Sequence, residues 1–184
     1  MAITTFVAGD VLTAAQLNGS FTTAAGLQFI KAQTIGTAVS SVAVTSAFST
    51  TYDNYKIIIS GGVGSANASL YLQLGSTTTG YYGGFAGATY AGASDSGGFA
   101  NQANFQNCGR GSTNTLQMSV ELQNVFLTKN TYANYAFILN DTAGRARMTG
   151  GFLNDSTSYT GFTIIAETGT LTGGTIAVYG YAKA

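Results

Sequence analysis

Leu116, Met118, Val120 and Leu122 alternate without a break with Gln117, Ser119, Glu121 and Gln123. A period of two puts the four apolar side chains on one face of an extended segment and the polar ones on the other, which no helix can do. Such a segment belongs in an antiparallel sheet with one face buried and one face wet. The pattern recurs. Tyr55, Ile57 and Ile59 alternate with Lys56, Ile58 and Ser60, and Leu70, Leu72 and Leu74 alternate with Tyr71 and Gln73. Further extended runs cover 28–33, 41–48, 133–140, 146–153, 161–167 and 175–181. Breaks fall at Gly61-Gly62, at Asn130, over 141–144 and 154–156, and at Gly173-Gly174. About nine short strands at this spacing, with no βαβ alternation, predict an all-β domain over 27–184. The leading expectation is an antiparallel β-sandwich of jelly-roll type.

Two stretches depart from that pattern. In residues 1–26, Thr13 can cap a short helix through Ala14, Ala15, Gln16, Leu17 and Asn18, which Gly19 would stop. Val11 or Leu12, with Leu17 and Phe21, would form its apolar stripe. A helix this short is marginal alone and must dock onto something. Residues 75–114 are rich in Gly, Ala, Ser and Asn, with Tyr81, Tyr82, Phe85, Tyr90, Phe99 and Phe105 spread among them. Strands are expected near 80–85 and 100–107, and a long surface loop over the remainder.

Charged residues make up 8% of the chain, against about 25% in ordinary globular domains. Apolar runs fall far short of the ~20 residues that span a bilayer as a helix, so no membrane insertion is expected. Eleven Tyr and eleven Phe argue against disorder. The seven basic and seven acidic residues cancel, and they form no basic stripe for nucleic acid or anionic lipid. A neutral surface this poor in charge has little colloidal repulsion, which points to a chain covered by neighbouring subunits. No Lys or Arg precedes Lys31, and no signal-like apolar block is visible. Synthesis in a cytoplasm without Sec-type export, and release by lysis, is the expectation.

The chemistry available is sparse. Without histidine, neither a Ser-His-Asp nor a Cys-His arrangement can form within one chain. Glu121 and Glu167 fall on polar strand faces, and Asp53, Asp141 and Asp155 fall in turns, where Asp serves the backbone. Nothing pairs two carboxylates across a cleft, so no catalytic residues are expected. Calcium would have Asp95 in the loop and Asp141 and Asp155 in adjacent turns, but EF-hand spacing is lacking. No metal site and no cofactor are therefore expected. The lone Cys108 excludes an intramolecular disulfide and reads as a small, half-buried side chain. Gly83-Gly84, Gly97-Gly98 and Gly173-Gly174 read as turns, since no phosphate-loop sequence follows them. The loop aromatics carry the one plausible binding role. Tyr81, Tyr82, Phe85, Tyr90 and Phe99 among small polar residues have a recognition-loop composition, and sugars stack on such rings. The same rings could equally plug the sandwich or a subunit contact.

Two phrases carry a resemblance. Thr5-Phe6-Val7-Ala8-Gly9-Asp10-Val11-Leu12-Thr13-Ala14-Ala15-Gln16-Leu17-Asn18 is similar to the opening T-[FW]-x-x-G-[DE]-x-L-T-A-x-x-[LV]-N of many bacteriophage tail and fibre proteins. Phe48, Tyr52, Asn54 and Tyr55 resemble an F-x-x-x-Y-x-N-Y phrase of phage β-sandwich modules, and Ile176–Tyr181 resembles their final strand. The resemblance covers both ends and one early strand, and leaves 75–114 unmatched. It implies a virion fibre or decoration protein, a homotrimer, joined to other virion proteins through Phe6, Val11, Leu12, Leu17 and Phe21. The host surface, its polysaccharide above all, would then meet the loop aromatics. The competing readings are a decoration or baseplate protein that never meets the host, a depolymerase tailspike with carboxylates meeting across subunits, and a free carbohydrate-binding module.

Overall fold

In a computed structural model, the described residues are 26–139 and 144–183, together with Gly9, Val11 and Thr13. The helix expected over 13–18 and the attachment residues Phe6, Leu12, Leu17 and Phe21 lie outside the described residues, as does Asp141. Val11 is described and is exposed. No helix occurs among the described residues, and so none long and apolar enough to cross a membrane.

The described residues form fourteen strands: β1 (Leu27–Thr34), β2 (Ser41–Val44), β3 (Asn54–Ser60), β4 (Val63–Gly64), β5 (Ala68–Leu74), β6 (Tyr81–Thr89), β7 (Ser94–Gln102), β8 (Phe105–Ser112), β9 (Thr115–Gln123), β10 (Thr131–Leu139), β11 (Arg145–Leu153), β12 (Phe162–Ala166), β13 (Leu171–Thr172) and β14 (Thr175–Tyr181). Every pairing is antiparallel. Twelve strands make one continuous sheet, and the two-residue β4 and β13 form a small clip. The turns that follow β3 and β13 place Gly61, Gly62, Gly173 and Gly174 at positive φ, a conformation that side chains disfavour.

The sheet doubles into two layers at β9. Met118 pairs with Ile59 on one edge and Gly109 of β8 on the other, whereas Val120 pairs with Ile57 and with Tyr135 of β10. The edge that begins on β8 therefore continues on β10, and the layers part between them. One layer runs β1–β14–β3–β9 and the other β2–β12–β5–β8. Two hairpins, β6–β7 and β10–β11, are inserted between these core strands and extend the first layer as a four-stranded flange, in the order β10–β11–β6–β7.

The alternation read from the sequence sets which side chains meet. Leu116, Met118, Val120 and Leu122 are all buried, as are Tyr55, Ile57, Ile59, Leu70, Leu72 and Leu74. They form one cluster with Val42, Val44, Phe162, Ile164, Ile176 and Val178. Burying each such side chain is worth about 1.5–3 kcal/mol, and this sum is what holds the layers together.

Three expectations need correction. Residues 75–114 do hold strands near 80–85 and 100–107, but the long loop expected over the remainder is instead taken up by the rest of β6, β7 and β8 and their turns. Cys108 is wholly buried, not half-buried; its thiol donates to the Phe105 carbonyl at 3.2 Å, and burial pushes its pKa up. Asp95 lies within β7, where an arginine occupies it, rather than in a loop open to calcium. Asp155 does sit in a turn and accepts the Thr157 N–H at 2.8 Å, as an Asx turn requires.

Candidate interaction surface

The flange has two faces, and strand register assigns each of its side chains to one or the other. On the inward face, Phe137, Arg147, Gly87 and Asp95 fall on one register line across the four strands. The Arg147 guanidinium donates to both Asp95 oxygens, at 2.5 and 3.0 Å, and lies 4.2 Å from the centroid of the Phe85 ring. The charged group thus sits between a carboxylate and an aromatic face, with its hydrogen bonds made in a fork. Nearby, the Tyr135 hydroxyl donates to the Gln106 carbonyl of β8 at 2.5 Å and ties the flange to the second layer.

The same face explains the aromatic and glycine composition of this region. Gly83 pairs with Phe99, and Phe85 pairs with Gly97. Each ring lies over the opposing glycine: a Cβ at Gly97 would come 2.8 Å from the Phe85 Cζ, and one at Gly83 would run into the Phe99 ring. Rings laid over cross-strand glycines shield the backbone and pin the register. Tyr90, in the β6–β7 turn, covers Gly144 in the same way and remains 64% exposed.

The outward face is different in kind. Tyr132, Phe152 and Tyr82 form a cross-strand ladder, with Tyr82 and Phe152 stacked at 5.4 Å and 16°. The next line is Asn134, Gly150, Gly84 and Gly98, bare of side chains beyond Asn134. After it come Ala136, Met148, Ala86 and Ser96, and then Ile138, Ala146, Ala88 and Ser94. No charge stands on any of these lines. A hollow of about 400 Å³ opens at the glycine line, between Met148, Asn134, Ser119 and Glu121. Glu121 closes the uncharged region; it accepts from Lys56 at 3.3 Å and from the Tyr181 hydroxyl at 2.7 Å.

The five aromatic residues expected to face the host are not brought together. Tyr81 is fully buried, edge-on to Phe105, with its hydroxyl accepting the Leu74 N–H at 2.8 Å. It is a core residue, because the strand that carries it begins over β5 rather than in a loop. Phe85 and Phe99 face inward over their glycines. Tyr82 faces outward in the ladder, and Tyr90 stands at the turn. The outward residues that sequence reasoning missed are Tyr132, Phe152, Ile138 and Met148. A signal existed for two of them: Tyr132 and Ile138 alternate with Ala133, Tyr135 and Phe137, so β10 is apolar on both faces. A strand of that kind expects cover on both sides.

A second hollow, of about 420 Å³, is lined by Thr77, Thr79, Gly80, Asn130, Asn154, Asp155 and Ser156. Its one carboxylate is already engaged by the Thr157 hydroxyl and the Tyr159 hydroxyl, both at 2.7 Å. Among the described residues, no three His, Cys, Asp or Glu side chains gather as a metal site would need.

The carboxylates make acid sensitivity predictable. Hydrogen bonds from Arg147 hold Asp95 below its ordinary range, those from Tyr181 and Lys56 do so for Glu121, and those from Thr157 and Tyr159 for Asp155. Each group ionises more readily folded than unfolded. Its contribution is therefore complete above the unfolded value of about 4, and is lost as pH falls through the lower folded value. Urea midpoints should stay level from neutral pH to about 4 and decline below it. Arg147→Met should flatten that decline, and an unchanged acid limb in the variant would remove the Asp95 pair as its cause.

No family model, no curated protein and no solved structure matches this chain.

Proposed function

We propose that this chain is a bacteriophage virion protein, the head of a tail fibre or head fibre. In this reading it works as a homotrimer, attaches to the particle through residues 1–26 and meets the host surface with its β-sandwich. One observation carries the reading: eight core strands whose order fits a jelly roll follow, in the sequence, a phrase similar to phage attachment segments. The orders β1–β14–β3–β9 and β2–β12–β5–β8 fit the two four-stranded sheets of a jelly roll, an architecture used by viral capsid proteins and lectins alike. Since a fold by itself does not choose among its functions, it is the resemblance of 5–18 to phage attachment segments that favours the virion. The surface also suits holding and touching rather than catalysis, because each carboxylate so far placed is engaged by structural partners. The protein would be assembled in the host cytoplasm and would need no cofactor.

A second reading, a decoration or baseplate protein with no host contact, is favoured by one finding. Three of the five aromatic residues expected at the host surface are turned inward.

Reconstitution separates these readings. Among the described residues the buried core is drawn from 35–178, and a chain lacking residues 1–26 is expected to keep its fold. Full-length protein should join particles that lack it, and the shortened chain should not. Equal attachment of both would end the anchor assignment, and attachment of neither would end the virion reading. Full-length protein should also bind host cells or their surface polysaccharide. Docking onto particles without any such binding would leave the decoration reading standing in place of the fibre.

A further inference from the structure

We propose that the outward face of the flange is the surface on which a second copy of this chain packs. The inference rests on the oligomeric part of the reading above and gives it a location. Across β10, β11, β6 and β7 this face carries no charge, yet Met148 is 75% exposed, Ile138 56% and Tyr132 45%. Nine residues at ~3.4 Å per residue, by four strands at ~4.8 Å, give a flat area of roughly 600 Å² before side-chain relief is added. An uncharged area of this size reaches the upper end of the roughly 300–600 Å² that the largest apolar patch of a monomer covers, and supplies most of the about 800 Å² per partner that a specific interface buries. The composition is also that of an interface core, with Tyr, Phe and Met present and Lys, Asp and Glu absent. The Lys56–Glu121 pair beside it supplies a polar rim.

Two observations choose the occupant. A charged partner would find nothing on this face to recognise it. Two copies meeting on this face, by contrast, bring no like charges against each other, since none stands on its lines. The bare glycine line and the hollow beside Met148 also leave room for side chains of an opposing sheet, which packs at ~10 Å. A sugar chain is the weaker candidate, because Tyr82 and Phe152 each give to the other one of the two ring faces on which a pyranose could lie. The face is thus buried in the assembly, and host contact falls to other surfaces such as the Tyr90 turn.

The test is the mass in solution of the full chain, of Met148→Glu with Ile138→Glu, and of Ser96→Arg, each with its circular dichroism. The wild type should be oligomeric. Both variants should keep the β spectrum and fall to the mass of one chain, 18.8 kDa. Ser96→Arg adds charge without removing apolar surface, so it reports on the face even if the double variant fails to fold. Variants that stay oligomeric beside an oligomeric wild type would overturn this face and leave the oligomer intact. A wild type that runs as one chain at the highest concentration reached would overturn the oligomer itself.

Discussion

Replacing Tyr81 with alanine should destabilise the protein by about 4 kcal/mol, the loss typical of a fully buried aromatic side chain. For a chain of this length, that lowers the melting temperature by roughly 10 °C. The physical reason is threefold. The ring is sealed from solvent, it stands edge-on to Phe105 at 4.9 Å, and its hydroxyl accepts the Leu74 N–H at 2.8 Å. Tyr81→Phe isolates the last of these and should cost about 1–2 kcal/mol, because the Leu74 N–H is left buried without its acceptor. Tyr90→Ala is the contrasting case. Its ring is 64% exposed, and its loss should change stability by no more than about 0.5 kcal/mol. Thermal melts of the three variants decide the matter. If Tyr81→Ala melted with the wild type, the burial of β6 against the second layer would be wrong.

The second large effect is expected at Gly87. A Cβ there would run into the backbone carbonyl of Ala146 on β11, and a carbonyl held in a sheet has no side-chain freedom with which to move aside. Gly87→Val should cost about 3 kcal/mol, at the upper end of what overpacking does, and should open the β6–β11 ladder first. Gly84 offers the control. It is exposed, and a Cβ there would find nothing closer than 3.5 Å, so Gly84→Ala should be neutral to within about 0.5 kcal/mol. Denaturation midpoints give the size of the effect, and amide exchange along β6 and β11 gives its place. Equal midpoints for the two variants would remove the close approach of these strands. Should the flange melt by itself while the core strands stay protected, it would behave as a separate cooperative unit, as an inserted pair of hairpins can.

The core was legible because its strands alternate apolar with polar side chains. Leu116 to Leu122 and Leu70 to Leu74 announce both their conformation and their buried face, and the Gly pairs at 61–62 and 173–174 announce where the chain reverses. Half of the flange was legible, as the extended runs at 133–140 and 146–153 that became β10 and β11, but the other half was not, because β6 and β7 mix glycine with phenylalanine and alanine. Glycine weakens a strand on its own, and only the ring lying across from it makes up the loss. Gly83 needs Phe99 and Gly97 needs Phe85, yet each partner is more than ten positions away in the chain. Read one strand at a time, the same residues look like a flexible loop studded with recognition aromatics.

The sequence alone determined that the chain would be antiparallel β and which side chains of its regular strands would form the core. Each of these follows from residue type and a period of two, both of them local. Tertiary structure decided the rest: that Tyr81 is sealed while Tyr90 stands free, that Arg147 and Asp95 find each other across 52 positions, and that an uncharged face of Tyr132, Phe152 and Met148 is left looking outward. Strand order and register choose neighbours for residues distant in the chain. No local pattern encodes that choice, because the alternation says which way a side chain points but not what it meets.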